Sequence, residues 1–150
     1  MGIDRKELTI ASAILAKAGI ADCDAAMLSP LTLAYIGDCV YELIVRTIVI
    51  GRAEHTVNTL HKHTCKYVNA ASQKALLGIL SEKLTEAEAS VVRRGRNAKS
   101  PTSAKNAPTG DYRKATGLEA LIGYLYLKGD IDRVIELVKK AVEIIDSPEV

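Results

Sequence analysis

The stretch that decides the fold is SPLTLAYIGDCVYELIVRTIVIG, residues 29–51. Ser29 followed by Pro30 is typical of a helix start, because a serine side chain caps the first free amides and proline fits the first helical position. Apolar side chains continue to Ile50, and Gly51 is a residue type that commonly ends a helix. The stretch therefore predicts one long, largely buried helix through about Ile50.

The rest of the chain has helical patterning, with no alternating pattern long enough for a sheet. With no Phe and no Trp among 150 residues, the core must consist of Leu, Ile, Val and Ala, which pack well between closely spaced helices. We therefore predict an all-α fold in a single domain spanning residues 1–150. Two of the other predicted helices are a segment capped by Asp4 and Glu7 that ends at Gly19, and a segment from Ala53 to about Leu80. A short helix is predicted from the capping box Thr85 and Glu88 into Val92, and another helix from Ala115 to Leu127. The last helix is capped by Asp130, and its predicted buried residues are Ile131, Val134, Ile135, Val138, Val142 and Ile145.

Positive charge is concentrated in residues 93–114, RRGRNAKSPTSAKNAPTGDYRK. This segment has seven Lys or Arg side chains and one acid, a local charge of +6 in a chain whose net charge is +2. Rich in small and polar residues, it cannot bury itself, so it predicts a basic loop. Such a loop is either an ordinary solvated surface or a binding surface for phosphates.

Two carboxylates lie inside apolar helical patterns. Asp38 follows Gly37 in the middle of the helix predicted to start at Pro30, and Glu119 lies between Gly117 and Gly123, which permit close approach of another backbone. Each acid could simply face solvent or pair with an arginine. Together with a phosphate-binding segment, however, a pair of carboxylates is how proteins hold Mg²⁺, which also binds waters and substrate oxygens. The sequence thus indicates magnesium-assisted phosphodiester hydrolysis.

The cysteines and the N-terminus bear on location. Cys23, Cys39 and Cys65 are odd in number and form no CxxC pair, so we expect reduced thiols buried as small core residues. The first twenty residues contain acids and no uninterrupted apolar run, which is unlike a signal peptide or a membrane span. We expect a cytoplasmic protein without a membrane partner.

Short motifs in the chain resemble a known family. Leu33–Asp38, LAYIGD, resembles the signature helix of ribonuclease III, and Leu118–Gly123, LEALIG, resembles the second metal-binding helix of that family. The similarity runs from about Pro30 to Val142, so residues 1–29 are a divergent N-terminal segment. The segments that resemble the Mini-III branch, which consists of the catalytic domain alone, are RRGRNAKS at 93–100, Lys105-Asn106, Tyr112-Arg113 and EALIGYLYL at 119–127.

This resemblance implies an all-helical homodimer that binds double-stranded RNA and cleaves it with Mg²⁺, leaving 5′-phosphate and 3′-hydroxyl ends. Asp38 and Glu119 would hold the ion. Where ribonuclease III usually has two further acids, this chain has Ala34 and Thr116, a reduction that Mini-III proteins share. Thr116 could contribute a hydroxyl or a water-mediated contact, and Glu42, one turn after Asp38, could lie beside the site or at a dimer interface.

The resemblance also implies how RNA is bound. Without an appended RNA-binding module, the basic segment must supply much of the affinity, and Tyr112 could stack on a base. In Mini-III relatives the substrate is a precursor of large-subunit (23S) ribosomal RNA, which we expect here. Leu31, Tyr35 and Leu43 could face a second copy. The predicted RNA-binding residues are Arg94, Arg96, Asn97, Lys99, Lys105, Asn106 and Arg113.

Two other functions are open from the residues. A non-catalytic double-stranded-RNA-binding protein on a ribonuclease III fold would account for the two missing acids, but it has no reason to keep Asp38 and Glu119 inside apolar helices. A helical DNA-binding regulator would need a recognition helix with base-reading side chains, whereas the basic residues here are predicted to lie in a loop.

Overall fold

The computed structural model describes residues 9–52, 56–68, 72–99 and 109–147, with all their side chains except those of residues 72–73 and 109–114. The described residues form helices and contain no strand, which confirms the all-α prediction. None of these helices is long and apolar enough to cross a membrane. The helices are α1 (Ile10–Lys17), α2 (Pro30–Arg52), α3 (Val57–Val68), α4 (Ser72–Leu80), α5 (Glu86–Asn97), α6 (Thr109–Lys128) and α7 (Ile131–Asp146), with a short 3-10 helix (Ala25–Met27) before α2.

Helix α2 begins where the sequence predicts. The Ser29 hydroxyl accepts a hydrogen bond from the Thr32 amide at 3.2 Å. The predicted end at Gly51 is wrong by one residue, because α2 continues to Arg52. A glycine weakens a helix by only about 1 kcal/mol, and the Arg52 guanidinium is bonded to side chains of α3 and α7, so packing favours the extra residue.

The segment predicted from Ala53 to about Leu80 is two helices, α3 and α4. Helix α3 packs against α2, whereas α4 packs against α6 and α7. Both expose one side and bury the other, so apolar spacing alone could not reveal the change of partner.

Helix α5 starts as predicted and ends later. Thr85 and Glu88 form the capping box, with the Glu88 amide donating to Thr85 and the Thr85 amide donating to Glu88. The helix passes Val92 and ends at Asn97, so residues 93–97 are helical and not part of a loop. Residues 109–114 are likewise the first residues of α6, and residues 100–108 lie outside the described ranges.

Glu88 also joins α5 to α7. Its carboxylate is buried and accepts from Arg133 Nε at 2.9 Å and Nη2 at 3.2 Å. Burial by itself raises the pKa of Glu88, but hydrogen bonds from Arg133 and Thr85 outweigh it and lower that pKa. The base of α5 is thereby fixed.

Helix α6 is the central element and contacts α1, α2, α4, α5 and α7. After it, the Asp130 carboxylate caps α7 by accepting from the Arg133 amide at 3.3 Å, as predicted. Ile135 is 45% exposed, contrary to prediction, because it lies about 100° round the helix from buried Val134.

Outside the core, α1 is capped by Thr9, and the predicted cap at Asp4 and Glu7 lies outside the described residues. Gly19 follows α1 with φ +71°, as a terminating glycine does. All three cysteines are free, but the prediction that they are buried is wrong. Cys23 and Cys39 are exposed, and Cys65 is partly exposed.

Candidate active site

Helices α2 and α6 cross with their backbones in contact at two glycines. A Cβ added at Gly37 would overlap the carbonyl oxygen of Glu119 and lie 2.8 Å from the Gly123 nitrogen. A Cβ added at Gly123 would overlap the carbonyl oxygen of Leu33. Because Asp38 follows Gly37, this crossing brings the Asp38 and Glu119 side chains to one place.

The two carboxylates line a common small cavity of about 30 Å³. This volume has room for about one or two water-sized species. Helix α3 forms its third wall through Tyr67 and Val68. We call this arrangement the two-carboxylate site; its lining residues are Asp38, Tyr41, Tyr67, Val68, Ala115, Leu118 and Glu119.

The Glu119 carboxyl group has an unusual pKa. Burial, and after it the negative charge of Asp38, raise the pKa of Glu119 to about 7. Asp38 itself is exposed at the mouth of the site. The two acids therefore repel each other in a partly desolvated setting, and a cation between them would remove that repulsion.

The donor set fits a hard divalent ion. Asp38 and Glu119 supply two carboxylates, which are oxygen ligands. Among the described residues there is no larger site, that is, no group of three or more His, Cys, Asp and Glu side chains placed to hold a metal. An ion held by Asp38 and Glu119 would take its remaining ligands from water and substrate oxygens. That is the coordination that Mg²⁺ prefers.

The two accessory candidates lie differently. The Glu42 carboxylate binds Arg46, Oε1 to Nη2 at 2.6 Å, and Glu42 is not among the residues that line the cavity. Thr116 is buried in α6, one turn before Glu119, and its carbonyl faces Gly95 of α5. Neither side chain is part of the cavity wall.

A second glycine contact places the basic end of α5 beside α6. A Cβ at Gly95 would lie 2.9 Å from Gly117 Cα and 3.0 Å from the Thr116 carbonyl oxygen. The Arg96 side chain covers Gly117, with its Cγ 2.9 Å from where a Cβ would be. Arg96 thus lies on the stretch of α6 just before Glu119.

The predicted RNA-binding residues fall into two groups. Those at the end of α5 and just beyond it, Arg94, Arg96, Asn97 and Lys99, are exposed. Arg94 Nη2 also donates to the Leu28 carbonyl at 3.3 Å, which ties α5 to the segment before α2. Lys105, Asn106 and the side chain of Arg113 lie outside the described residues, as does the side chain of Tyr112.

Two tyrosines of the site were not predicted. The Tyr41 hydroxyl donates to the Tyr67 carbonyl at 3.2 Å, and burial raises the pKa of Tyr41 to about 12, so this donor stays protonated. Tyr41 lies three residues after Asp38 and shares its helix side, a signal that helical spacing offered. Tyr67 comes from another helix, and nothing in its local sequence connects it with the site.

Two carboxylates lie together where α2 and α6 cross, and arginines lie nearby. This arrangement suits the hydrolysis of a phosphodiester bond. Residues 31–130 match the ribonuclease III domain. The chain belongs to the ribonuclease III family, and it is an endoribonuclease.

Sequence comparison narrows the family to one branch. The chain is 48% identical to Mini-ribonuclease 3 of Symbiobacterium thermophilum, over 79% of this chain and 92% of that protein. It is 47% identical to Mini-ribonuclease 3 of Brevibacillus brevis, over 82% of this chain and 92% of that protein. The resemblance to the Mini-III branch is thereby confirmed.

A solved structure shares the fold. A crystal structure of a protein from Fusobacterium nucleatum superposes with a TM-score of 0.68 at 27% identity, covering 82% of this chain and 98% of the other. The helical arrangement described above is therefore one that a related sequence also adopts.

Proposed function

We propose that the protein is a magnesium-dependent endoribonuclease that cleaves double-stranded RNA at the two-carboxylate site. The observation that carries the proposal is the meeting of Asp38 and Glu119 around one cavity, with the pKa of Glu119 raised to about 7. Two repelling acids at a helix crossing destabilise a fold unless they bind a cation. Metal binding by Asp38 and Glu119 would offset this repulsion.

Bound magnesium supplies an activated water and stabilises negative charge on the scissile phosphate. Asp38, which is exposed, and Glu119, which is half-buried, would hold the ion between them. Tyr41 and Tyr67 limit the space around the two acids. The proposed products carry a 5′-phosphate and a 3′-hydroxyl.

Duplex binding is proposed for the basic end of α5. Arg94, Arg96, Asn97 and Lys99 present cations and amide groups to solvent beside the start of α6. An A-form duplex is recognised mainly through phosphates and 2′-hydroxyls, which such side chains contact without reading sequence. Lys105, Asn106 and Arg113, whose side chains lie outside the described residues, are proposed to bind the duplex as well.

A homodimer is proposed through the outer side of α2. Tyr35 is 82% exposed and Leu43 is 61% exposed, and they lie within about 80° of each other round the helix. Leu31 is partly exposed on the same side. Apolar side chains this exposed on the longest helix are accounted for by a second copy, which would present two sites to the two strands of a duplex.

By its resemblance to Mini-III, the proposed substrate is a duplex region of the 23S ribosomal RNA precursor, met in the cytoplasm. Both the RNA substrate and the location are inferred from the family alone.

The test compares the wild type with Asp38→Asn on a long labelled RNA duplex, in magnesium or EDTA. Asp132→Asn, an exposed aspartate of α7, is the matched control. We expect discrete fragments from the wild type and the control in magnesium only, and no cleavage by Asp38→Asn, which should still bind the duplex. Cleavage by Asp38→Asn at the wild-type rate would refute the assignment, and binding without cleavage by the wild type would favour a non-catalytic RNA-binding protein.

A further inference from the structure

A group of polar side chains joins three helices at the edge of the two-carboxylate site. Asp146, the last residue of α7, accepts from Arg52 Nη1 at 2.9 Å and from the Tyr67 hydroxyl at 2.7 Å. It also accepts from Lys66 Nζ at 3.0 Å. Arg52 Nη1 donates to the Tyr67 hydroxyl as well, at 2.9 Å. We call Arg52, Lys66, Tyr67 and Asp146 the Asp146 cluster.

Tyr67 connects this cluster to the site. It is 4% exposed, lies one residue before the end of α3, and lines the cavity together with Asp38 and Glu119. Its carbonyl accepts from the Tyr41 hydroxyl, which belongs to the same cavity wall. Burial and the hydrogen bond to Asp146 raise the pKa of Tyr67, so its hydroxyl remains a donor.

The two attachments fix α3 at separate points along α2. Tyr41 binds the Tyr67 carbonyl, and Arg52 binds its hydroxyl. These two residues are eleven positions apart, about 16 Å along the helix axis. Both the backbone and the side chain of Tyr67 are therefore attached to α2, which restrains the end of α3 beside the cavity.

We propose that Tyr67 is a positioning residue of the nuclease, held by the Asp146 cluster so that the end of α3 stays against Asp38 and Glu119. The match to the ribonuclease III domain ends at residue 130, so Asp146 lies beyond it. Helix α7 thereby supports the site from outside the matched segment. The inference rests on the proposed function, because it takes this cavity as the place of hydrolysis.

The cluster's effect belongs to catalysis more than to stability. Arg52, Lys66 and Asp146 side chains are each about a third to a half exposed, and ion pairs in such settings contribute little to folding. A displacement of about 1 Å at a reacting centre, in contrast, can cost about 100-fold in rate.

The experiment measures kcat and KM on a duplex for Tyr67→Phe and Asp146→Asn. Tyr67→Phe removes the hydroxyl that donates to Asp146, and Asp146→Asn removes the negative charge that holds Arg52 and Lys66, both with little change in side-chain shape. We expect kcat to fall about 10- to 100-fold in either variant, with KM nearly unchanged because the basic end of α5 is intact. The double variant should be no slower than the slower single one, since both changes act through the same cluster on the end of α3.

The matched control is Glu82→Gln, which breaks another ion pair of α7, that with Lys140. Its kcat should equal that of the wild type. Assays are run where circular dichroism shows each variant folded; should Asp146→Asn fail to fold, Tyr67→Phe decides alone. Variants as fast as the wild type, or a control as slow as the variants, would overturn the inference while leaving the nuclease established. A wild type without metal-dependent cleavage would instead remove the proposed function.

Discussion

Gly37 and Gly123 have no side chains, and this lets the α2 and α6 backbones touch beside Asp38 and Glu119. In the proposed nuclease the carboxylates hold the metal, while the glycines set the distance between the helices that carry them. At the scale of the residue, the site therefore depends on two positions that take no part in the reaction.

Replacing Gly123 by alanine should destabilise the fold by about 1–3 kcal/mol or more, because the new methyl group meets the Leu33 carbonyl, which cannot move without shifting α2. Urea unfolding measures the effect. Gly51→Ala is the matched control, since nothing lies within 4 Å of a Cβ there, and helix propensity predicts a gain of up to about 1 kcal/mol. Equal stability of the two variants would contradict the backbone contact.

Glu119 should make metal-free stability depend on pH. Its pKa of about 7 in the folded protein is above the ordinary 4.5, so the folded state holds a proton that the unfolded state has lost. The free-energy cost of ionising Glu119 in the folded protein therefore grows as pH rises from about 4.5 and reaches its full value above about 7. In EDTA at about pH 8, Glu119→Gln should be more stable than the wild type, by up to about 3 kcal/mol, and the gain should vanish at about pH 4.

Magnesium should reverse that order, stabilising the wild type by binding the folded state but leaving Glu119→Gln unchanged. Glu143→Gln, at an exposed position of α7, serves as the control. A wild type whose unfolding free energy does not respond to pH or to magnesium would argue against a strained carboxylate pair.

At the scale of the element, helix α5 carries arginines that were predicted from the sequence to lie in a loop. Its base is anchored by Glu88 to Arg133, and its end packs through Gly95 on Gly117. Because this part of the chain is helical, the backbone of Arg94 and Arg96 is held at a fixed position relative to α6, so less conformational freedom would be lost in the proposed binding of phosphates.

Replacing Arg94 and Lys99 together by glutamine should weaken duplex binding and lower the slope of log affinity against log salt by about 2, one for each phosphate that the variant no longer neutralises. Filter binding across a salt series measures this. A control with Lys83 and Lys139 replaced, both exposed outside the α5 end, should keep the wild-type slope. Identical slopes for all three proteins would show that the end of α5 does not touch the duplex.

At the scale of the whole molecule, α2 has two roles on opposite sides. Its inner side packs on α6 at the glycine crossing, and its outer side presents Tyr35 and Leu43 to solvent. A second copy on the outer side would bring two sites into one particle, because the same helix carries Asp38.

Leu43→Lys should shift the protein toward a monomer of 16.1 kDa, whereas we expect the wild type to sediment at twice that mass. Leu77→Lys is the matched control, since Leu77 of α4 is 58% exposed and Leu43 is 61% exposed. Analytical ultracentrifugation distinguishes the outcomes. A wild type that is monomeric at all concentrations, or a control that dissociates equally, would refute the α2 interface.

The sequence by itself determined what depends on local interactions. Ser29, the Thr85–Glu88 box and Asp130 start their helices as predicted, because a cap and its free amides are within three residues of each other. The motifs around Asp38 and Glu119 likewise identified the family, because a short motif is recognised from the identity of its residues alone. Even the close approach at Gly117 and Gly123 could be expected from glycine alone.

Only the tertiary structure decided the rest. Helix α5 continues to Asn97 because Gly95 finds a partner in α6, and the segment after α2 divides because α3 and α4 pack on different helices. Tyr67 and Asp146 come together from positions 79 residues apart. Such contacts depend on where helices that are distant in the sequence meet. A local sequence pattern therefore cannot show which distant residue determines the end of a helix or lines a cavity.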